Sequence, residues 1–498
     1  MSLPRLLLTI VCAATVAAPA APRSPPPATI RHRAVDFEST GNPILADGSY
    51  YSADPAPLVT NGTLYIVAGR DEAEPAENSF VINEWEVLST AADPSLNPAG
   101  GARQWTLHPA VVRPDDVFTW ASVGTAYAAQ VVRGAADGRF YLYAPVTQRD
   151  AGAGATDPFA IGVGVADSPL GPFEDAHPSG PIISQTTPAL GNDIQNIDPT
   201  VLVDDDGRVY IYFGTFGQLL AYELDGSDMT TILGGGAATR IDSLTGFFEA
   251  PWLMKRQETY YMLYAANNAG ADSPCTPTSY HACIAYGTAS APLGPWTYRG
   301  IVLDIVSSTT SHPGVFEIDG QWYLVYHTRD ATGGTHFRRS VAFDALEWDD
   351  STSPPSIRKV VQTRRPAAEG GDSDEPTRNI APRAIAESAN ETPIQYWIAA
   401  VNDGRVEANP LPPDYWSSYT AEQSPETSML TYTWNETVQL DGTSVAFFAD
   451  QEAGSDIGVK FETVSTTGLR VVLKASGRTS QFGGIGVKEW FAFAPTAS

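Results

Sequence analysis

Hydrophobic and polar positions in this chain alternate over short runs and never settle into a helical stripe. Five aromatic-rich runs carry the pattern: Thr63–Val67, Arg139–Tyr143, Arg208–Tyr212, Tyr260–Tyr264 and Gln321–Tyr326. Such β-branched and aromatic runs, bounded by Gly, Asn and Asp, predict strands. Each run follows a polar turn and a shorter phrase. The phrases begin at Ala53-Asp54-Pro55, Tyr127-Ala128-Ala129, Ile197-Asp198-Pro199, Glu249-Ala250-Pro251 and Ser311-His312-Pro313. They recur about 50 to 75 residues apart, the size of a propeller blade. A second echo agrees. Ile161 to Phe173 and Ile284 to Trp296 are both a strand, a Pro-Leu-Gly-Pro turn and an aromatic that should pack outward into the next layer.

The pattern fades after the strand Ile357 to Thr363. Arg364 to Pro376 is rich in Ala, Gly, Glu and Asp and reads as a linker. Beyond it, short strands are expected at Trp397–Asp403, Tyr415-Trp416, Leu430–Trp434, Val445–Phe448, Gly458–Phe461 and Leu469–Leu473. The expected fold is therefore all-β: a five-bladed β-propeller over 35–363, a linker over 364–376 and an antiparallel β-sandwich over 377–498. All five phrases precede the linker, so the sandwich is expected to serve stability or polymer capture and not the chemical step.

The 498 residues carry 30 Lys and Arg against 57 Asp and Glu, a formal charge of −27. That balance argues against nucleic acid and anionic membranes as partners and suits a neutral substrate and a soluble monomer. Arg5, the apolar run Leu6 to Ala18 and the Pro-rich stretch after it read as a signal peptide over 1–21, hence a secreted protein. Cys12 leaves with that leader. Cys275 and Cys283 remain, eight positions apart in one loop, and a disulfide is expected between them. Asn61, Asn390 and Asn435 head glycosylation sequons.

In a propeller the innermost strands line one channel, so Asp54, Asp198 and Glu249 should converge there. Two carboxyl groups held in opposite protonation states, one giving a proton to a leaving oxygen and one activating water, are what glycosidic cleavage needs. Small neighbours suit an ionised base at Asp54. Phe247, Phe248 and Trp252 suit a raised acid at Glu249. Asp198 would hold Glu249 protonated or orient it.

Ser52-Ala53-Asp54-Pro55, Gly69-Arg70-Asp71-Glu72, Asn196-Ile197-Asp198-Pro199-Thr200, Phe248-Glu249-Ala250-Pro251-Trp252 and Ser311-His312-Pro313-Gly314 together resemble glycoside hydrolase family 43. The resemblance covers residues 40 to 362. It implies an inverting glycosidase acting on plant cell-wall polysaccharide, with Asp54 as base, Glu249 as acid and Asp198 tuning the acid. It implies no cofactor for the chemistry, and a structural calcium near His312, which would face the channel. Arg339 is the expected sugar-contacting arginine, with Arg338 beside it. Phe118, Trp120 and Tyr127 are the expected sugar-stacking aromatics. His327 and His336 read as structural or rim residues. α-L-Arabinofuranosidase is the leading activity and β-xylosidase the alternative. A non-catalytic carbohydrate-binding propeller is the rival from another class, and it would be favoured only by loss of one of the three acids. The C-terminal module resembles galactose-binding-like sandwiches.

Overall fold

The computed structural model describes residues 33–498 apart from 76, 78, 99, 268–274, 276–281, 308, 364–377, 391, 394, 395, 405, 407–413, 421–423, 449–455, 476–483 and 496–498. The leader and the linker lie outside the described residues.

Five antiparallel sheets follow one another along the chain. Blade 1 runs from the centre outward through Ser52–Thr60, Thr63–Arg70, Trp85–Ala91 and Arg103–Val112, with Val35–Ser39 as its outermost strand. Blade 2 holds Gln130–Arg133, Phe140–Thr147, Phe159–Ala166 and Glu174–Asp175. Blade 3 holds Thr200–Val203, Val209–Phe213, Leu220–Leu224 and Thr239–Arg240. Blade 4 holds Phe247–Arg256, Thr259–Ala266, Cys283–Ala289 and Thr297–Leu303. Blade 5 holds Gly314–Ile318, Gln321–Thr328 and Ser340–Leu346. The innermost strands touch in a closed ring, the fifth returning to the first.

The aromatic runs make the second strand of every blade because they are buried on both faces. Apolar clusters fill the junctions between blades. Trp85 and Val67 meet Leu142 and Val131 between blades 1 and 2, and Phe316 and Val325 meet Leu64 and Ile66 between blades 5 and 1. Each fully buried side chain of this size contributes roughly 1.5–3 kcal/mol. Among the described residues, blade 5 has three strands of its own. The segment before blade 1 covers its edge: Ile44 N–H donates to Val341 O at 2.8 Å, and Asn42 exchanges bonds with Phe343 at 2.7 and 3.1 Å. The ring is thus sealed by the start of the chain. The Pro-Leu-Gly-Pro echo forms two equivalent turns. Gly171 and Gly294 take φ of 68° and 87°, a region that favours glycine, and Phe173 and Trp296 are buried behind them.

The C-terminal module differs in detail from the expected strands. Leu430–Trp434 and Val445–Phe448 belong to one strand, Thr427–Phe448, and Gly458–Phe461 and Leu469–Leu473 belong to another, Asp456–Lys474. Their pairing shifts register between Thr433 and Val438 and again between Leu440 and Gly442. Those irregularities broke the alternation that a sequence pattern could show. Residues 398–402 form a 3-10 helix, not a strand, and Asn402 Nδ2 bonds the carbonyls of Ala381 and Ala384 at 2.9 Å. Tyr432 stacks on Trp490 at 4.0 Å in the core of this module.

The sandwich is joined to the propeller by charge. Arg329, just past the second strand of blade 5, donates to Asp414 at 2.6 Å and to Asp403 at 3.1 Å. Its side chain is 6% exposed and that of Asp414 5%. The loop it begins leads back to Arg339, so the expected independence of the propeller meets a buried contact. Removing one partner of a buried ion pair costs on the order of 3–5 kcal/mol. Arg329→Met in the full chain should therefore lower thermal stability and split a common unfolding transition into two. An unchanged calorimetric trace would count against this coupling.

Candidate active site

Four residues at the channel share one backbone feature. Asp54, Asp198, Ala250 and His312 have φ of 55°, 55°, 56° and 45°, and each precedes a proline. In blade 1 the ladder skips from Ala53 to Ala56, and in blade 4 it shifts around Glu249. These bulges re-aim side chains out of the sheet alternation. They also resolve an offset: Glu249 sits one residue ahead of the position that Asp54 and Asp198 hold in their blades, yet it lines the same cavity.

Asp54 is fixed from three directions. Arg339 Nη1 donates to its Oδ1 at 2.9 Å, and His312 and His327 Nδ1 stand 3.6 and 3.4 Å from the same oxygen. The Asp54 backbone N–H donates to His327 Nδ1 at 3.1 Å, while His327 Nε2 meets the Thr310 carbonyl. A carbonyl partner requires the proton on Nε2, so Nδ1 is the acceptor. Arg339 is itself held by Asp71 through Nε at 2.8 Å, Nη2 at 2.9 Å and its backbone N–H at 2.8 Å. Burial alone would push the Asp54 carboxyl up, but the Arg339 charge outweighs it and holds Asp54 well below the usual carboxylate range. Burial lowers His312 to about 4 and lowers His327 as well, so both rings are neutral near pH 7.

Glu249 lies in the opposite environment. Burial pushes its carboxyl up, the hydroxyls of Thr215 (2.6 Å to Oε2) and Thr310 (2.9 Å to Oε1) pull partly back, and the Asp54 charge adds to the rise. Asp198 is raised well above its ordinary value, by burial first and then by the charges of Glu249 and Asp54. Its Oδ2 accepts the Ala250 N–H at 3.1 Å, which pins the peptide next to Glu249.

Asp54, Asp198, Glu249, His312 and Arg339 all line one cavity of about 610 Å3, the size of a small-ligand site. Tyr127, stacked on Phe159 at 5.4 Å, lines it too. Phe118 and Trp120 do not. Phe118 is fully buried between blades 1 and 2, and Trp120 rests on it at 5.2 Å with its indole bonded to Asp175 at 3.2 Å. The reason lies in Gly162, where a Cβ would come within 2.9 Å of both rings. The glycine opens space in blade 2 that these aromatics fill. Of the two histidines expected to be structural or at the rim, His327 is buried against Asp54 and His336 lines the cavity. The neighbouring Tyr326 and Thr328 gave no sequence signal for that role. Arg338 instead bonds the Ala73 carbonyl at 2.6 Å. Cys275 and Cys283 are adjacent, with Cys283 N–H donating to Cys275 Sγ at 2.6 Å.

The donors at His312 do not fit calcium. Its nearest carboxylate oxygen already faces a guanidinium, no group of three or more His, Cys, Asp or Glu is placed to hold a metal among the described residues, and calcium takes six to eight oxygens.

The family model "Glycosyl hydrolases family 43" matches residues 102–353, about half of the sequence. The chain belongs to glycosyl hydrolase family 43. That span includes Asp198, Glu249, His312 and Arg339, while Asp54 lies ahead of it. The chain is similar to a "Xylosidase/arabinosidase" of Bacteroides ovatus, 30% identical over 60% of this chain and 92% of that protein. It is also similar to an "Arabinoxylan arabinofuranohydrolase" of Bacillus subtilis, 31% identical over 58% of this chain and 57% of that protein. Among solved structures, a family 43 β-xylosidase/α-arabinofuranosidase from a compost microbial metagenome, in complex with xylotriose, superposes with a TM-score of 0.50 at 25% identity, over 66% of this chain and 98% of that one. The Bacillus subtilis arabinoxylan arabinofuranohydrolase structure has a TM-score of 0.51 at 22% identity over 92% of this chain and 96% of that one, a likeness of fold that extends through the C-terminal module. The family 43 chain is a glycosidase.

Arg339→Met would strand Asp54 and Asp71 without their shared cation, at a cost of roughly 3–5 kcal/mol at neutral pH. Asp54 is depressed in the folded state, so its share of stability is fully present above the ordinary carboxylate range and is lost progressively as pH falls from that range toward the depressed folded value. The deficit of the variant, read from urea midpoints, should therefore shrink below about pH 4. A deficit equal at pH 7 and pH 3.5 would contradict the pairing.

Proposed function

We propose that this glycosidase is a secreted, inverting α-L-arabinofuranosidase that releases arabinose from arabinoxylan or arabinan. One observation carries the reading: a single cavity holds two carboxyl groups pushed in opposite directions, Asp54 held low beside Arg339 and Glu249 raised by burial. In this mechanism the contacts of Asp54 with Arg339, His312 and His327 all fall on Oδ1. Oδ2 is then the oxygen that takes a proton from water, whose oxygen attacks the anomeric carbon. Glu249 gives its proton to the departing oxygen as the glycosidic bond breaks. Asp198 acts through the Ala250 peptide as a positioning residue. Inversion needs the base and acid roughly 6.5–9.5 Å apart to admit the water.

The choice of arabinose rests on relatives whose names include arabinoxylan arabinofuranohydrolases of Bacillus subtilis and Paenibacillus polymyxa. A "Beta-xylosidase" of Xylanibacter ruminicola, 28% identical, supports the second reading, release of xylose from xylo-oligosaccharides. Hydrolysis of 4-nitrophenyl arabinofuranoside against 4-nitrophenyl xyloside, with product profiling on arabinoxylan, separates the two.

Asp54→Asn and Glu249→Gln should each lower turnover by several orders of magnitude with the fold intact. NMR of the first product should show inverted anomeric configuration. Retention, or a sugar covalently trapped on Asp54, would defeat the assignment of roles.

Export would oxidise the Cys275 and Cys283 pair. Thiol labelling of the denatured, unreduced mature protein should find no reactive thiol. Two labelled thiols per chain would speak against the disulfide.

A further inference from the structure

We propose that Phe216 is the platform for the sugar on the leaving-group side of the scissile bond, and so sets the choice of polymer. The inference rests on the assignment of Glu249 as the acid. Phe216 is 68% exposed, among the most exposed large apolar side chains described, yet it lines the cavity of the three acids. Its backbone adopts φ of 52°, a conformation that costs an aromatic residue energy. Strain of this kind persists where the surroundings impose it, and it clusters at functional sites.

The surroundings here are specific. Gln218 N–H closes a turn onto the Thr215 carbonyl at 3.1 Å, and Gly217 N–H bonds the Phe248 carbonyl at the same distance. The Phe216 ring meets Phe248 edge to face, 5.6 Å between centroids at 81°. Both rings are chain neighbours of the acid machinery. Thr215, immediately before Phe216, donates to Glu249 Oε2, and Phe248 immediately precedes Glu249. A general acid must touch the oxygen that departs. The sugar bonded to that oxygen therefore lies beside Glu249, away from the base. An exposed aromatic face held rigidly there suits the C–H face of a pyranose ring, the backbone unit of a xylan.

The test uses the full chain and two readouts. Phe216→Asn removes the ring while keeping a residue that tolerates the left-handed backbone. Phe216→Trp keeps a stacking face. Substrates are arabinosylated xylotriose, cleaved at the arabinose, and free L-arabinose as a competitive inhibitor that fills only the cleaved-sugar side. The expected result for Phe216→Asn is a kcat/KM on the oligosaccharide lower by about tenfold, mostly through KM. Its inhibition constant for arabinose should stay within about twofold, and Phe216→Trp should restore the oligosaccharide rate. Equal weakening of oligosaccharide and arabinose would show that Phe216 merely supports the site and would overturn the proposal, as would an unchanged oligosaccharide rate. Wild-type protein inert on every glycoside would overturn the hydrolytic reading itself, a result distinct from either.

Discussion

The guanidinium of Arg339, shared between Asp54 and Asp71, is the contact on which the site depends. All three side chains are buried, and the desolvation of three charges is tolerable only when their hydrogen bonds are met. Here Asp71 takes two guanidinium bonds and the Arg339 N–H, and Asp54 takes the third nitrogen. One cation between two carboxylates leaves a net negative charge in the cavity. Asp54 is thus held ionised without being neutralised. Both aspartates come from blade 1 and the arginine from blade 5, so the contact lies on the seam where the ring closes. Ile44 and Asn42 seal that same junction along the edge of Ser340–Leu346. Ring closure and the ionised base are one arrangement.

The same charge works on the far side of the cavity. The negative field of Asp54 adds to the burial that raises Glu249, while hydroxyls from Thr215 and Thr310 fix both of its oxygens. Asp198 accepts the Ala250 N–H through Oδ2 and so anchors the peptide next to Glu249.

Much of this was legible in the sequence, and the exceptions have identifiable causes. The propeller could be read because its second strands are buried on both faces and so written in aromatics. Asp54, Asp198, Glu249 and His312 were reachable through their repeated phrases, and Arg339 through the family resemblance. Glu249 is one position out of register with the aspartates, and only the bulge in its strand reconciles it with the channel. Phe118 and Trp120 were assigned to sugar because a sequence does not show that Gly162 faces them. His327 ends an ordinary-looking strand, and its role comes from the neighbouring blade. Arg329 was invisible because its partners, Asp403 and Asp414, lie in a different module.

The left-handed pre-proline residues tie strain to chemistry blade by blade. A residue before proline favours extended backbone, and a left-handed L-residue costs roughly 1–2 kcal/mol. Four blades accept that conformation at the channel, through Asp54, Asp198, Ala250 and His312. In each, the strained residue or the one before it places a side chain in the cavity. Blade 2 is the contrast. Its phrase, Tyr127 to Val131, has no proline and no acid, and Gln130 is used to accept the Val201 N–H at 2.6 Å across to blade 3. Blade 2 offers the cavity an aromatic, Tyr127, without a pre-proline residue. The blades that turn a carboxyl or imidazole toward the channel take the left-handed residue, and the packed junctions between blades supply the stability that lets the strain persist.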